Sequence, residues 1–192
     1  MASAVEQPCI YPEALLNGML SEPSDRRWWV LYTKVHQEKA IARQLFGRQI
    51  PFYLPLVETN KVSRGRRLVS RSPVFAGYVF LFGNEEERVA SLTTNRISRV
   101  LDIDDSERLS QDLRQIRRMI ASGTPLTVEK RLLPGDRVRV RCGPLMGLEG
   151  TVLKRHGGTR LLVAIDFLQQ GASFDIEDCL LEPLGNAPVC HA

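Results

Sequence analysis

The chain has 192 residues, of which 43% are hydrophobic and 25% charged, the balance of an ordinary globular protein and enough for one large domain or two small ones. Its longest apolar run, Val74 to Phe82, is about half the roughly 20 residues a membrane helix needs and contains Gly77, so it reads as a buried strand, not a span. The net charge of +4 is uneven: residues 26–72 carry eleven bases and two acids, whereas residues 1–25 carry four acids and no base.

A local positive field of this kind attracts a polyanion, usually nucleic acid; a solvated basic face is the plainer alternative. The N-terminus has no basic start followed by an apolar core, so no signal peptide is read. Of the four cysteines, Cys9, Cys142, Cys179 and Cys190, none forms a CxxC pair and no His stands at zinc spacing. They are expected to be reduced thiols in a cytoplasmic protein, with a disulfide-bonded secreted protein as the alternative.

Residues 1–26 mix Pro, Ser, Glu and Asn and are expected to be a disordered extension, although Leu15, Leu16, Met19 and Leu20 suit one short amphipathic turn. Trp28 to Val35 is dense in aromatic and β-branched residues and predicts a strand. From His36 to Gln49 the period changes: Ala40, Ile41, Leu45 and Phe46 predict a helix that Pro51 stops, and Phe52 to Val57 returns to strand. Lys61 to Arg71 reads as a basic hairpin or loop with Gly65 near its tip, and Val74 to Phe82 as the next strand. Asn84 followed by Glu85, Glu86 and Glu87 is a helix start with a capping residue and acids at the positive end. A short strand is expected near Arg99 to Ile103. Leu109, Leu113, Ile116 and Ile120 then mark an amphipathic helix ended by Gly123 and Pro125.

This order predicts an α+β fold, an N-terminal α/β sandwich over residues 27–121 with an antiparallel sheet. Residues 122–132 read as a linker. Beyond it, glycines punctuate five short strand-like runs, Arg137–Arg141, Gly150–Lys154, Arg160–Phe167, Ala172–Ile176 and Cys179–Leu181. They predict a small closed barrel over residues 133–184, followed by a tail at 185–192.

The stretch Pro134-Gly135-Asp136-Arg137-Val138-Arg139-Val140, followed by Gly143-Pro144-Leu145-Met146-Gly147-Leu148-Glu149-Gly150-Thr151-Val152, resembles the KOW motif of an SH3-like barrel. Ahead of it, Trp28-Trp29-Val30-Leu31-Tyr32-Thr33, Glu38-Lys39-Ala40, Tyr53-Leu54-Pro55 and Pro73-Val74-Phe75-Ala76-Gly77-Tyr78-Val79-Phe80 resemble, in order and spacing, the N-terminal domain of the NusG family. Tyr32, Lys34 and the Lys61–Arg71 segment lean toward its specialised RfaH branch, while Gly77-Tyr78 is the NusG form.

The resemblance implies a transcription elongation factor, reducing pausing or modulating termination, and a specialised antitermination paralogue. It implies a partner, the clamp helices of the RNA polymerase largest subunit, met by Tyr32, Phe75, Tyr78 and Phe80, with Thr93 and Thr94 matching imperfectly a polar motif that touches the polymerase. From the residues alone, Tyr78 and Phe80 share a strand face and Phe75 has the opposite parity unless a bulge intervenes, and a place in the domain core is the alternative for Phe75 and Phe80. Lys34, Arg43 and Arg48 would face non-template DNA, and Arg64, Arg66, Arg67 and Arg71 upstream duplex DNA or the polymerase. Bases without neighbouring aromatics read phosphate, not sequence.

In the KOW module, Phe167 and Leu168 align with the loop that binds a ribosomal protein or the termination factor Rho, and the Arg of the family's loop is absent from Phe167-Leu168-Gln169-Gln170-Gly171. Five glycines between 143 and 158 disfavour helix, so a permanent barrel is expected, not a fold switch. Scattered His36, His156 and His191, and Asp102, Asp104 and Asp105 without a cation-loop pattern, point to no enzyme, metal or cofactor. A monomer is expected. A ribosome- or RNA-binding KOW protein is the rival reading.

Overall fold

The computed structural model describes residues 8–17, 25–63, 66–129, 135–155, 158–177 and 180–184. The chain forms two compact units, Met1–Ser110 and Gln111–Ala192.

The first unit is built on a five-stranded antiparallel sheet. Its strands are β1 (Ile10–Tyr11), β3 (Phe52–Tyr53), β6 (Tyr78–Gly83), β2 (Arg27–Thr33) and β7 (Ile97–Asp102), in that spatial order. β2 lies between β6 and β7, and Trp28, Val30 and Leu31 on it are fully buried. A second ribbon, β4 (Leu56–Ser63) with β5 (Arg66–Pro73), is paired along its whole length as the basic hairpin, ending at the pair Ser63–Arg66.

Helix α1 (Glu38–Gly47) buries Glu38, Ile41, Ala42 and Leu45, the i, i+3, i+4, i+7 set of one helical face. Ile41 and Leu45 join Trp29, Leu31, Phe52, Val79 and Leu81 of the sheet in one apolar cluster. Each such fully buried aliphatic side chain stabilises the unit by about 1.5–3 kcal/mol. The helix is stopped by its own backbone before Pro51. Gln49 takes a left-handed φ of 57°, its N–H donates to the Phe46 carbonyl at 3.0 Å, and the Ile50 N–H donates to the Leu45 carbonyl at 3.0 Å. This is a Schellman closure with Gln where Gly is usual.

Helix α2 (Glu85–Leu92) has both halves of a capping box. The Glu87 N–H donates to Asn84 Oδ1 and the Asn84 N–H donates to Glu87 Oε2, each at 2.9 Å. Helix α3 (Ser106–Ala121) buries Leu109, Leu113, Ile116 and Met119, while Ile120 is only half-buried.

Two expectations for this half are corrected. Residues 8–17 are not a disordered extension: Ile10 and Tyr11 pair with Tyr53 and Phe52 at the sheet edge, the Leu54 N–H donates to the Cys9 carbonyl at 2.6 Å, and Leu15 and Leu16 are buried. Cys9 to Tyr11 are held by the sheet edge through these backbone contacts. Nor is Val74 to Phe82 one strand. Phe75 to Gly77 form a turn, and β6 starts at Tyr78.

In the second unit a six-stranded antiparallel sheet runs in the order β13 (Leu181–Pro183), β9 (Arg137–Val140), β10 (Glu149–Arg155), β11 (Gly158–Ile165), β12 (Gln170–Asp175), β8 (Thr127–Glu129). Four of the five strand-like runs fall on these strands, and the fifth is displaced by about two residues to β13. The closed barrel is not seen: among the described residues β13 and β8 are the two ends of the ladder and do not pair with each other. The added strand β8 falls in the stretch read as linker. It pairs with β12 from Thr127–Ser173 to Glu129–Gly171, and the Arg160 guanidinium binds Thr127 Oγ1 at 2.8 Å, Ser173 Oγ at 3.1 Å and Asp175 Oδ1 at 2.7 Å. In the β9–β10 turn, Gly147 adopts φ +79° and its N–H donates to the Val140 carbonyl at 2.8 Å, a conformation costly for a side-chain-bearing residue.

Candidate functional site

One sheet face of the first unit is closed along most of its length and open at one end. Phe80, Val30 and Leu101 lie in register across β6, β2 and β7, with Phe80 and Val30 fully buried. One row further along, Tyr78, Tyr32 and Arg99 are in register on the same face. Tyr32 is 43% exposed, Arg99 is exposed and Tyr78 is half-buried. The two phenol rings pack tilted, with centroids 5.2 Å apart. A pair of amphipathic rings at an open sheet end is a surface that can bury a large apolar area at low entropy cost.

The backbone beneath this pair is fixed on three sides. Gly77 has φ +86°, its N–H donates to Glu38 Oε1 at 2.7 Å, and its carbonyl accepts the Thr33 N–H at 2.8 Å. The Tyr78 N–H donates back to the Phe75 carbonyl at 3.2 Å. A Cβ built on Gly77 would stand 3.1 Å from Tyr32 Cε2, so the glycine lets the Tyr32 ring lie over the turn. Glu38 is itself buried at the start of α1.

The six residues expected to meet the polymerase take different positions. Tyr32 and Tyr78 are brought together at the surface. Phe75 and Phe80 are fully buried, packed edge to face with centroids 6.0 Å apart, and neither offers a side chain to a partner. The parity conflict is resolved by the Phe75–Gly77 turn, which carries Phe75 back onto Phe80. Thr93, exposed, donates to the Ala90 carbonyl at 2.8 Å, and Thr94 Oγ1 accepts the Arg96 N–H at 3.4 Å.

The bases divide similarly. Lys34 is exposed, with Nζ 3.2 Å from Asn95 Oδ1, and Arg43 is exposed on α1. Arg48 caps α2: its Nη1 donates to the Ala90 carbonyl and, at 2.9 Å, to Thr93 Oγ1, so that it joins the two helix ends and is a weaker candidate for a phosphate. Arg71 is half-buried on β5 opposite Glu58. Arg66 and Arg67 stand on β5 in register with Ser63 and Val62, and Arg64 lies outside the described residues.

In the second unit Phe167 is 47% exposed on a 3-10 turn, Asp166–Leu168, whereas Leu168 is half-buried. The exposed apolar residue of that turn is Phe167, not the Leu168 aligned with the family's aromatic.

Glu38 and Arg99 complete the site, although Arg99 was not singled out in the sequence and Glu38 entered only within the family-like stretch Glu38-Lys39-Ala40, with no role of its own. Nothing local marks either one, since Glu38 meets Gly77 across 39 residues and Arg99 reaches Tyr32 only through strand pairing.

Among solved structures, one described as "Domain interaction in Thermotoga maritima NusG" aligns over 82% of this chain and 96% of its own, at 16% identity and a TM-score of 0.45. Another, the MjSpt4:Spt5 complex in conformation B, aligns over 83% of this chain and 97% of its own, at 15% identity and a TM-score of 0.28. A search of curated proteins finds no match. A family model described as "Transcription termination factor nusG" matches residues 26–131, over half of the chain and four of the five strands of the sheet that carries the tyrosine pair, and the chain therefore belongs to the NusG family of transcription factors.

Proposed function

We propose that this protein is a transcription elongation factor that binds RNA polymerase at the clamp helices of the largest subunit through Tyr32 and Tyr78, and that it acts as a specialised antitermination paralogue. The observation that carries the reading is the surface tyrosine pair, Tyr32 exposed and Tyr78 half-buried, with tilted rings 5.2 Å apart over a glycine turn whose N–H is held by a buried Glu38. In this reading the second unit carries a KOW module of SH3-like type, and Phe167 offers an apolar contact to a ribosomal protein or to Rho.

No bond is made or broken. Binding across the cleft favours the closed polymerase over the open one, and pausing falls only by the difference in affinity for the two states. Arg99 at the end of the tyrosine row gives the patch a charged margin, and Lys34 and Arg43 provide phosphate contacts to exposed non-template DNA. Arg66, Arg67 and Arg71 of the β4–β5 ribbon, together with Arg64, contact upstream DNA or the polymerase surface.

The test is capture of bacterial core polymerase by the full chain and by a Tyr32→Ala, Tyr78→Ala variant whose circular dichroism matches wild type. Capture by wild type alone supports the reading. Failure of wild type to bind at low salt, with binding to ribosomal RNA instead, supports the RNA-binding alternative, which the exposed row Arg137, Arg139 and Arg141 on and beside β9 favours.

A further inference from the structure

The row that carries the tyrosine pair ends in a charge that the described chain does not neutralise. Arg99 stands in register with Tyr32 on the same sheet face, and β7 bulges at Ser98 immediately beside it, where the pairing steps from Tyr32–Arg99 to Thr33–Ile97. A bulge re-aims the side chains next to it. Arg99 is exposed, and its guanidinium has no hydrogen-bond or ion-pair partner among the described residues. Other bases of the first unit are matched by acids: Arg26 pairs with Glu87 at 2.7 Å, Arg27 with Asp102 at 3.3 Å, and Arg88 with Glu85.

The surroundings of Arg99 do not supply the missing charge. The segments at the open end of the sheet, residues 32–38, 75–78 and 95–99, hold Lys34, Arg96 and Arg99 against one acid, Glu38. Glu38 is buried and accepts the Gly77 N–H. Lys34 binds the side-chain amide of Asn95 at 3.2 Å and Arg96 that of Gln37, both neutral groups. The margin of the tyrosine patch is therefore cationic, and its bonds within the chain go to uncharged partners.

The position of Arg99 favours a protein carboxylate over a nucleic-acid phosphate. Tyr32 and Tyr78 are best covered by apolar side chains, and whatever covers them also covers Arg99, one strand away. A base of single-stranded DNA needs an open ring to stack on, whereas the Tyr32 ring already packs against Tyr78 and lies over the Gly77 turn. Adjacent strands lie about 4.8 Å apart, so the row Tyr78, Tyr32, Arg99 spans about 10 Å. Helix positions i, i+4 and i+7 share a face and span about 10 Å at 1.5 Å per residue. A helix laid across the strands sets two apolar residues on the rings and its third position over Arg99. A guanidinium covered in this way loses water and needs a carboxylate to replace it.

We propose that Arg99 sets the register of docking by pairing with one Asp or Glu on the partner helix, on the same helix face as the apolar residues that cover Tyr32 and Tyr78. This pairing presupposes polymerase docking through the tyrosines and adds the charge that the clamp helices must present.

The experiment measures the affinity of the full chain for core RNA polymerase free of nucleic acid, for wild type and for Arg99→Lys, Arg99→Ala and Arg99→Glu, each checked by circular dichroism. The same set is measured against polymerases in which each Asp and Glu of the clamp helices is changed in turn to Lys. Affinity falls about threefold for Arg99→Ala and more than about tenfold for Arg99→Glu, stays within about twofold for Arg99→Lys, and the differences shrink as salt rises. One clamp-helix reversal weakens the wild type and restores Arg99→Glu. Binding of Arg99→Glu within about twofold of wild type, or the absence of any restoring reversal, would overturn the pairing. The docking reading survives that result if Tyr32→Ala, Tyr78→Ala still abolishes capture. A loss confined to single-stranded DNA binding would overturn the pairing in favour of a phosphate contact. Failure of the wild type to bind polymerase would remove both the pairing and the docking reading. Should Arg99→Glu not fold, wild type and Arg99→Ala decide: one reversal must weaken the first and leave the second unchanged.

Discussion

Replacing Gly77 with alanine isolates the turn that supports the tyrosine pair. The glycine holds φ +86°, and a left-handed conformation costs a side-chain-bearing residue roughly 1–2 kcal/mol. Alanine recovers about 0.4–1 kcal/mol of that by restricting the unfolded chain. The new Cβ would lie 3.1 Å from Tyr32 Cε2, but that ring is 43% exposed and can shift by a few tenths of an ångström. The conformational term therefore dominates, and the expected loss is about 1 kcal/mol, a fall of about 5 °C in Tm for a unit of this size. The assay is urea and thermal unfolding followed by tryptophan fluorescence. The chain's two tryptophans, Trp28 and Trp29, both sit on β2, so the signal reports the first unit alone. A Gly77→Asn variant adds a side chain while tolerating the left-handed region, and its loss should be about half that of alanine. An alanine variant as stable as wild type, or an asparagine variant as damaged as alanine, would refute the reasoning.

Removing the Glu38 side chain (Glu38→Ala) leaves the Gly77 N–H without its acceptor and should cost about 1–3 kcal/mol in the same assay, while Glu38→Gln, which keeps an oxygen at that place, should cost less than about 1 kcal/mol. Asn84→Ala breaks the capping box of α2 and should cost about 1 kcal/mol, read as faster amide exchange confined to residues 85–88. The hydrogen bond from Arg88 holds the Glu85 carboxyl below its usual pKa. A depressed folded pKa contributes stability above the unfolded value that is lost as pH falls through the folded one, so Arg88→Ala should raise the Glu85 pKa toward 4.5 in an NMR titration. An unchanged titration would show that the pair does not persist in solution.

Much of the fold was legible because its signals are local. The capping box at Asn84 and Glu87 and the apolar spacing of α1 and α3 are each complete within one segment, and the element that follows matches. What escaped was set by partners distant in sequence. Cys9 to Tyr11 carries no strand pattern of its own and is held by β3; β8 is three residues long and exists through its pairing with β12 and the Arg160 side chain. The candidate site was half legible. Tyr32 and Tyr78 were picked out only by their match to the family's stretches, and burial of Phe75 and Phe80 depended on a turn at Gly77, visible only as a lone glycine in an apolar run. Arg48 read as one of many bases, and its role in capping α2 follows from how α1 and α2 end near each other.

The most direct test of polymerase docking is site-specific photocrosslinking. A benzophenone amino acid is placed at position 32, and separately at exposed position 46 on α1, in full-length protein mixed with core RNA polymerase. The account predicts a crosslink from position 32 to the largest subunit, with adducts mapping to the clamp helices, and little or none from position 46. No crosslink from position 32 under conditions where the protein is bound, or equal crosslinking from both positions, would contradict the claim that the tyrosine pair is the docking surface.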